Sequence, residues 1–308
     1  MLPIKRVAII GLGEVGRCIA AAVGKVDDWV AELCEQVPRG EAIQLAGTLN
    51  RPIRSEPGDW LSGCDLVLSA VSGTASEDVA MAVAAWLRPG LCYVDLSTAR
   101  PESLARSAAF CEKQGVDFID GAIMGSIALT GIRTPILLSG PAAEAGARLL
   151  EALGFRCSTL PSSRPGDASS LKLLRSLFTK GLEALTVETL LVAEAKGLRD
   201  RLLEQLAVID EAPFANYLSI LVTSHVVHAC RRLAEVEAAR DELLRDGFDL
   251  ASIEATIQRF RVTALRLDAE QPPAEATVEL AGALAWLSSG FAERAAIVPN
   301  KKEGGDHE

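Results

Sequence analysis

No C-x-x-C pair occurs in this 308-residue sequence, and its seven cysteines, Cys18, Cys34, Cys64, Cys92, Cys111, Cys157 and Cys230, stand singly. A scattered, odd-numbered set excludes a disulfide framework and a zinc site of paired thiolates, and it fits a reducing compartment. Cysteines inside strand-like runs read as buried, inert thiols. Aromatic residues are scarce at 5%, yet 49% of the chain is hydrophobic, so the core must be large and aliphatic. Positive charge is also short. A formal net charge of −10 argues against nucleic-acid or anionic-membrane partners, though it leaves room for a local basic pocket. No apolar run approaches the length of a membrane span, and the apolar start is too short for a signal peptide. The expectation is a cytoplasmic protein of two domains.

What is present begins with Lys5-Arg6-Val7-Ala8-Ile9-Ile10-Gly11-Leu12-Gly13-Glu14-Val15-Gly16. A buried-strand run feeds a three-glycine turn, and an alanine-rich helical stretch follows. Gly11 permits the tight turn, Gly13 lets backbone approach phosphates, and Gly16 lets the helix pack on the sheet. With Leu12, Glu14 and Val15 between the glycines, the segment is a candidate cradle for a dinucleotide pyrophosphate at a helix N-terminus. An ordinary strand-to-helix turn would also contain glycine, but the strand before and the helix after favour cofactor binding.

The first half alternates short apolar runs (6–10, 29–34, 66–71, 91–96, 118–124, 136–139) with helical stretches (41–48, 77–87, 101–114, 142–153). Alternation of this kind predicts a parallel, doubly wound Rossmann-type sheet, with ligands at the carboxyl ends of its strands. The texture changes at the turn cluster Ser162-Ser163-Arg164-Pro165-Gly166-Asp167. From there to about residue 294 the chain reads as helix, with breaks near 210–213, 247–248 and 271–273. The predicted organisation is a dinucleotide-binding domain over 1–162, an all-helical substrate and dimerisation domain over 163–298, and a disordered polar tail over 299–308. The helix from 167 to about 197 carries a polar stripe of Lys172, Arg175, Ser176, Thr179, Lys180, Glu183 and Thr186. Such a stripe is a solvated face or the lining of a cleft.

Four segments together resemble the β-hydroxyacid dehydrogenase family, which includes 3-hydroxyisobutyrate and 6-phosphogluconate dehydrogenases. They are the glycine turn at 11–16, Val94-Asp95-Leu96-Ser97-Thr98 with Pro101 after it, Phe118-Ile119-Asp120-Gly121-Ala122-Ile123-Met124-Gly125-Ser126, and Gly166-Asp167-Ala168-Ser169-Ser170-Leu171-Lys172. Order and spacing agree over roughly the first 185 residues. Further on, His228-Ala229-Cys230-Arg231-Arg232 is similar to a less characterised branch with a phosphogluconate-dehydrogenase-like C-terminal domain. Three positions depart from the family pattern. Met124 replaces a substrate-binding serine, Ser176 replaces an asparagine one turn past the lysine, and Thr179 stands where the phosphogluconate enzymes place a glutamate acid.

The resemblance implies an NAD- or NADP-dependent oxidoreductase acting on a hydroxyl or carbonyl of a small carboxylate-bearing substrate, and it implies a homodimer. Lys172 would be the general acid and base, its pKa lowered by burial and by the positive nicotinamide. Ser97 and Thr98 end a strand at the carboxyl edge, where they orient nicotinamide or substrate, or else cap the next helix. Val71 and Ser72 fall where the family's loop brushes the cofactor. Gly125 and Ser126 offer N–H groups to a substrate carboxylate, with Met124 and Ser176 nearby. Glu35 stands where a ribose-binding acid belongs, and Arg39 in the same loop would suit an NADP phosphate, so the choice between cofactors stays open. His228 and Arg232 form a candidate substrate-anchoring cluster with His225 and Arg231, although pairing with Glu235 or Glu237 is equally simple. No third ligand is spaced for a metal. Oxidative decarboxylation of a phosphorylated sugar acid is disfavoured by Thr179, and an imine reductase by Lys172. A non-catalytic dinucleotide-binding regulator is the alternative outside enzymes.

Overall fold

A computed structural model describes residues 5–295; the tail expected at 299–308, and the last residues of the expected helical domain, lie outside the described residues. Eight strands form one sheet: β1 (Lys5–Ile10), β2 (Trp29–Cys34), β3 (Ile53–Arg54), β4 (Leu66–Ser69), β5 (Cys92–Asp95), β6 (Asp117–Ile123), β7 (Ile136–Ser139) and β8 (Cys157–Thr159). The spatial order is β3-β2-β1-β4-β5-β6-β7-β8. Six helices accompany them: α1 (Glu14–Val23), α2 (Gly40–Leu49), α3 (Ser76–Ala84), α4 (Pro101–Lys113), the single turn α5 (Ile127–Thr130) and α6 (Ala143–Ala152).

The strands read as unbroken apolar runs because both faces of the sheet are covered. Val7, Ile9, Leu33, Leu66, Leu68, Val94 and Ile119 pack on one side, toward residues of α1, α2 and α6. Ala8, Ile10, Val67, Tyr93 and Phe118 pack on the other, toward α3 and α4. One expectation needs correcting. Strands β3-β2-β1-β4-β5-β6 are mutually parallel, but β7 runs antiparallel to β6, and β8 is parallel to β7. The connection from β6 to β7 carries only α5 and one further 3₁₀ turn, too little helix for the crossover that a parallel return needs. The two-residue β3 and three-residue β8 were too short to register as apolar runs.

Register sets the site. Cys34 pairs with Ile10, Ile10 with Ser69, Ser69 with Asp95, and Asp95 with Asp120. The carboxyl ends of β2, β1, β4 and β5 therefore finish on one line, level with Asp120 in the middle of β6, and the loops that follow those four strands leave from the same edge.

The turn cluster at 162–167 leads into α7 (Asp167–Ala195), followed by α8 (Arg199–Leu206), α9 (Phe214–Arg245), α10 (Ala251–Ala269), α11 (Ala274–Val278) and α12 (Leu280–Ala295). Contacts divide the chain into two units, the first ending at Phe178 and the second beginning at Thr179. Within the second unit a small core gathers Val226, Ala276, Ala283 and Trp286, with the Arg266 guanidinium 4.4 Å from the Trp286 ring centre. Among the described residues, no single helix is long and apolar enough to cross a membrane.

Candidate active site

The glycine turn has the sterics its sequence implied. Gly11 sits at φ +88°, and a Cβ there would lie 2.9 Å from the Ala70 carbonyl oxygen. A Cβ on Gly16 would fall 1.8 Å from the Gly11 carbonyl oxygen, so α1 can approach β1 this closely only as glycine. Gly13 precedes α1 without any side-chain cap, and a Cβ there would meet nothing within 4 Å. The N–H groups of Glu14, Val15 and Gly16 thus begin a helix with no preceding carbonyls to satisfy them, facing open space at its positive end. Leu12 differs from a surface loop residue: its side chain is buried in the core, and Val15 packs partly against the same cluster. Leu12 therefore offers only its backbone to a ligand.

A cavity of about 550 Å³ opens beside this turn, lined among others by Gly11, Gly13, Glu35, Val71, Ser72 and Asp78. Its volume suits a drug-sized or nucleotide-sized ligand. Glu35 is held at its mouth by the Leu12 N–H, which donates to Oε2 at 2.8 Å. Three carboxylates (Glu35, Glu56 and Asp78) line the cavity, and no lysine or arginine does. Arg39 instead occupies the position before α2 and is exposed. Arg54 is bound to Glu32 at 2.8 Å and stacks on Trp60 at 4.6 Å.

The cavity's rim continues into a second group of residues. A Cβ on Gly73, one residue past Ser72, would lie 3.2 Å from the Thr98 carbonyl oxygen, so the two loops touch. Thr98 adopts φ +57°, a left-handed conformation costly for a β-branched residue and concentrated at functional sites. Its Oγ1 accepts a 2.7 Å hydrogen bond from Lys172 Nζ. Lys172 is half-buried, and burial lowers its pKa from 10.5, against an opposing pull from the Asp120 charge. Ser97 is also fixed: both its N–H, at 2.8 Å, and its hydroxyl donate to Asp95. Ser76 donates to the other Asp95 oxygen at 2.7 Å. With its proton committed, Ser97 Oγ keeps only acceptor capacity for a further partner. Thr98 Oγ1, already accepting from Lys172, has its own O–H left to donate.

Asp95 and Asp120 were part of the motifs, but their roles were not read from sequence. Each is 1% exposed. Asp120 accepts from the N–H groups of Gly166 and Ser169 and from the Ser139 hydroxyl, all at 3.0 Å, and from the Ser169 hydroxyl at 2.7 Å. Ser139 Oγ in turn accepts from the Ala168 N–H at 3.0 Å. Burial raises the Asp95 pKa above 3.8, countered by the Ser97 and Ser76 hydroxyls. The one signal in the sequence was an aspartate inside each of two apolar runs, Asp95 ending β5 and Asp120 in the middle of β6.

The remaining expected residues scatter more. Met124 packs partly buried against the cluster of Ala122, Leu137 and Ala168, while Gly125 and Ser126 are exposed ahead of the single turn α5. Ser176 lies half-buried on α7, one turn past Lys172. His228 and Arg232 belong to α9 in the second unit. His228 is exposed, and Arg232 donates to Ser224 at 3.1 Å. It is His225 that joins Arg232 and Arg259 in lining a cavity of about 460 Å³ in that unit. His225 Nε2 lies 2.8 Å from Thr263 Oγ1, and burial, with Arg259 and Arg232, pushes its pKa down to about 4. Arg231 pairs with Glu235. Cys34, Cys64, Cys92 and Cys111 are buried, and burial raises each thiol pKa. Among the described residues, no three His, Cys, Asp or Glu side chains converge as metal ligands.

Comparison with known proteins agrees with this geometry. Residues 6–159 match the NAD-binding domain of 6-phosphogluconate dehydrogenase. A conserved protein of unknown function, whose structure is described as similar to 3-hydroxyacid dehydrogenases, is 30% identical. That alignment covers 86% of this chain and 99% of the other, with a TM-score of 0.58. An uncharacterised 28.5 kDa protein of Methanothermus fervidus is 28% identical over 83% of this chain and 98% of its own length. An imine reductase from Aspergillus terreus, solved with NADPH4 and dibenz[c,e]azepine, shares the fold at a TM-score of 0.70 with 18% identity, over 90% of this chain and 99% of that one. The glycine turn, the open space at Gly13 and the adjoining cavity fit a dinucleotide cofactor, NAD or NADP. By its match over residues 6–159 and its 30% identity across most of its length, the chain belongs to the family built on the NAD-binding domain of 6-phosphogluconate dehydrogenase.

Proposed function

We propose that the protein is an NAD-dependent oxidoreductase acting on a CH–OH or carbonyl carbon of a small, carboxylate-bearing substrate, with Lys172 as the general acid and base. One observation carries this reading: a half-buried amine, 2.7 Å from the strained Thr98, beside the loop that lines the dinucleotide cavity. The Gly11–Gly16 backbone would hold the pyrophosphate, Glu35 the ribose hydroxyls, and Val71 and Ser72 the inner wall. When bound, the cofactor supplies the ring that accepts or donates hydride. The chain supplies the proton handling. Neutral Nζ takes the proton from the alcohol oxygen as the C–H bond breaks, and in the other direction the ammonium returns it to the carbonyl oxygen. Lowering of the Lys172 pKa by burial brings more neutral amine into the working range. Thr98 holds the amine in place, and Ser97 accepts a hydrogen bond from substrate or carboxamide. The N–H groups at Gly125 and Ser126 meet the substrate carboxylate.

Replacing Lys172 by alanine should abolish turnover over a panel of hydroxy and keto acids while NADH still binds, held by the glycine turn and Glu35. Turnover retained in that variant would overturn the proton role. NADH binding without turnover by the wild-type protein on any panel member would leave a binder rather than an enzyme.

The acidic lining of the cavity supports NAD over NADP. A 2′-phosphate near Glu35, with Glu56 and Asp78 in the same lining, would meet like charge at a cost of several kcal/mol. Fluorescence titration should give tighter binding of NADH than NADPH by about tenfold or more, and equal affinities would refute the preference.

A further inference from the structure

We propose that Asp120 is the positioning residue of Lys172: it clamps the first turn of α7 to the middle of β6 and so fixes the face of the helix that carries the amine. The proposal rests on the reading of Lys172 as proton carrier only for its consequence in turnover, because the clamp itself is drawn from geometry.

A helix that begins at Asp167 presents backbone N–H groups with no carbonyl before them. Here they find partners far off in sequence. Gly166 and Ser169 donate to Asp120 Oδ2, and Ala168 donates to Ser139, which donates to the same Oδ2. Ser169 adds its hydroxyl to Oδ1 at 2.7 Å. A carboxylate at a helix N-terminus also meets the positive end of the helix dipole. Ser169 and Lys172 lie three apart, on one face of α7. Fixing Ser169 to β6 therefore fixes the face from which Lys172 reaches Thr98. Gly166 is drawn in closely enough, at φ +104°, that a Cβ would lie 2.9 Å from the Pro101 carbonyl oxygen.

The same carboxylate acts on the amine through space. Asp120 is the charge that raises the Lys172 pKa against the lowering by burial. Other charged groups on the surrounding elements are committed elsewhere or face outward. Asp95 on β5 is bound by Ser76 and Ser97, Asp167 accepts from the Arg164 N–H, and Arg175 on α7 is exposed.

Asp120→Asn separates the two effects. An amide oxygen in the Oδ2 position keeps all three donors, and its NH₂ can donate to Ser169 Oγ once that hydroxyl turns. The geometry survives while the charge is lost. The chain has eight lysines, so ¹³C-dimethyl lysine NMR resolves their titrations, with the Lys172 signal assigned by its loss in Lys172→Arg. In Asp120→Asn the Lys172 midpoint should shift below its wild-type value, with NADH affinity unchanged within about twofold. A midpoint that stays or rises would overturn the proposal. Should that variant fail to fold, Ser169→Ala keeps the charge but cuts the Oδ1 bond. Its Lys172 midpoint should move up toward an exposed lysine, and amide exchange at Gly166 should quicken; no change in either would overturn the clamp. Because this readout needs no substrate, its failure is distinguishable from a failure of the oxidoreductase reading.

Discussion

Lys172, Thr98 and Ser97 are held by hydrogen bonds, Lys172 on Thr98 and Ser97 on Asp95, the arrangement that the proposed proton transfer would use. A free lysine is a poor base near neutrality because its pKa is about 10.4. Burial against the sheet's carboxyl edge lowers it, so in the oxidising direction the pH profile of kcat/KM should rise with an inflection below 10.5. Thr98→Val keeps the bulk and removes the acceptor. It should lower kcat by about tenfold, since one well-placed hydrogen bond to a charged group is worth about 1.5–3 kcal/mol, and stopped-flow or steady-state rates would read it. The half-buried His225 gives a separate prediction about stability. Its folded pKa of about 4 lies below the usual histidine value of 6.5, so between those values the unfolded chain binds the extra proton. Stability should fall as pH drops from about 6.5 toward 4. Thermal melts at pH 7 and pH 5 should show a smaller pH-dependent loss for His225→Gln than for the wild type.

The elements of the first unit are placed by steric rules more than by propensity. In α1, the Gly16 contact with Gly11 leaves no room for a methyl group, so Gly16→Ala should cost about 1–3 kcal/mol, the usual penalty for overpacking. It should also weaken NADH binding, because the helix end is pushed off the turn; calorimetry and fluorescence titration would show both. In central strand β4, Leu68 is fully buried, and Leu68→Ala should cost about 2–5 kcal/mol in a denaturant melt. The glycine turn and these apolar runs were legible in sequence because each depends on neighbours within a few positions. The reversal at β7 was not. Its apolar run looks like any other, and its direction follows from the short connection that precedes it.

At the scale of the whole molecule, α7 is the element with unmet needs. Leu173, Leu174, Leu177 and Leu191 are between 50% and 74% exposed, an apolar surface that marks an interaction site. We propose that a second copy of this chain covers it, giving a homodimer. The chain mass is 32.6 kDa, and light scattering should give about twice that, the C₂ dimer being the commonest assembly. Leu174→Glu combined with Leu177→Glu should yield a monomer that still binds NADH. A monomeric wild type would refute the assembly. The amphipathic pattern of α7 had suggested a polar stripe beside a packed face, but periodicity could not say which partner covers the leucines.

Sequence alone determined the glycine turn and the layered α/β unit followed by helices, while Lys172 stands out only through the family resemblance of its segment. Glycine sterics, strand burial and helix period are written within one or two turns of chain. Tertiary structure decided what each polar group does: that Ser97 commits its hydroxyl proton to Asp95, that Asp120 caps a helix 46 to 49 residues away, and that His225 rather than His228 lines a cavity. A buried donor or acceptor must find a partner wherever the fold brings one, and no local pattern encodes that meeting.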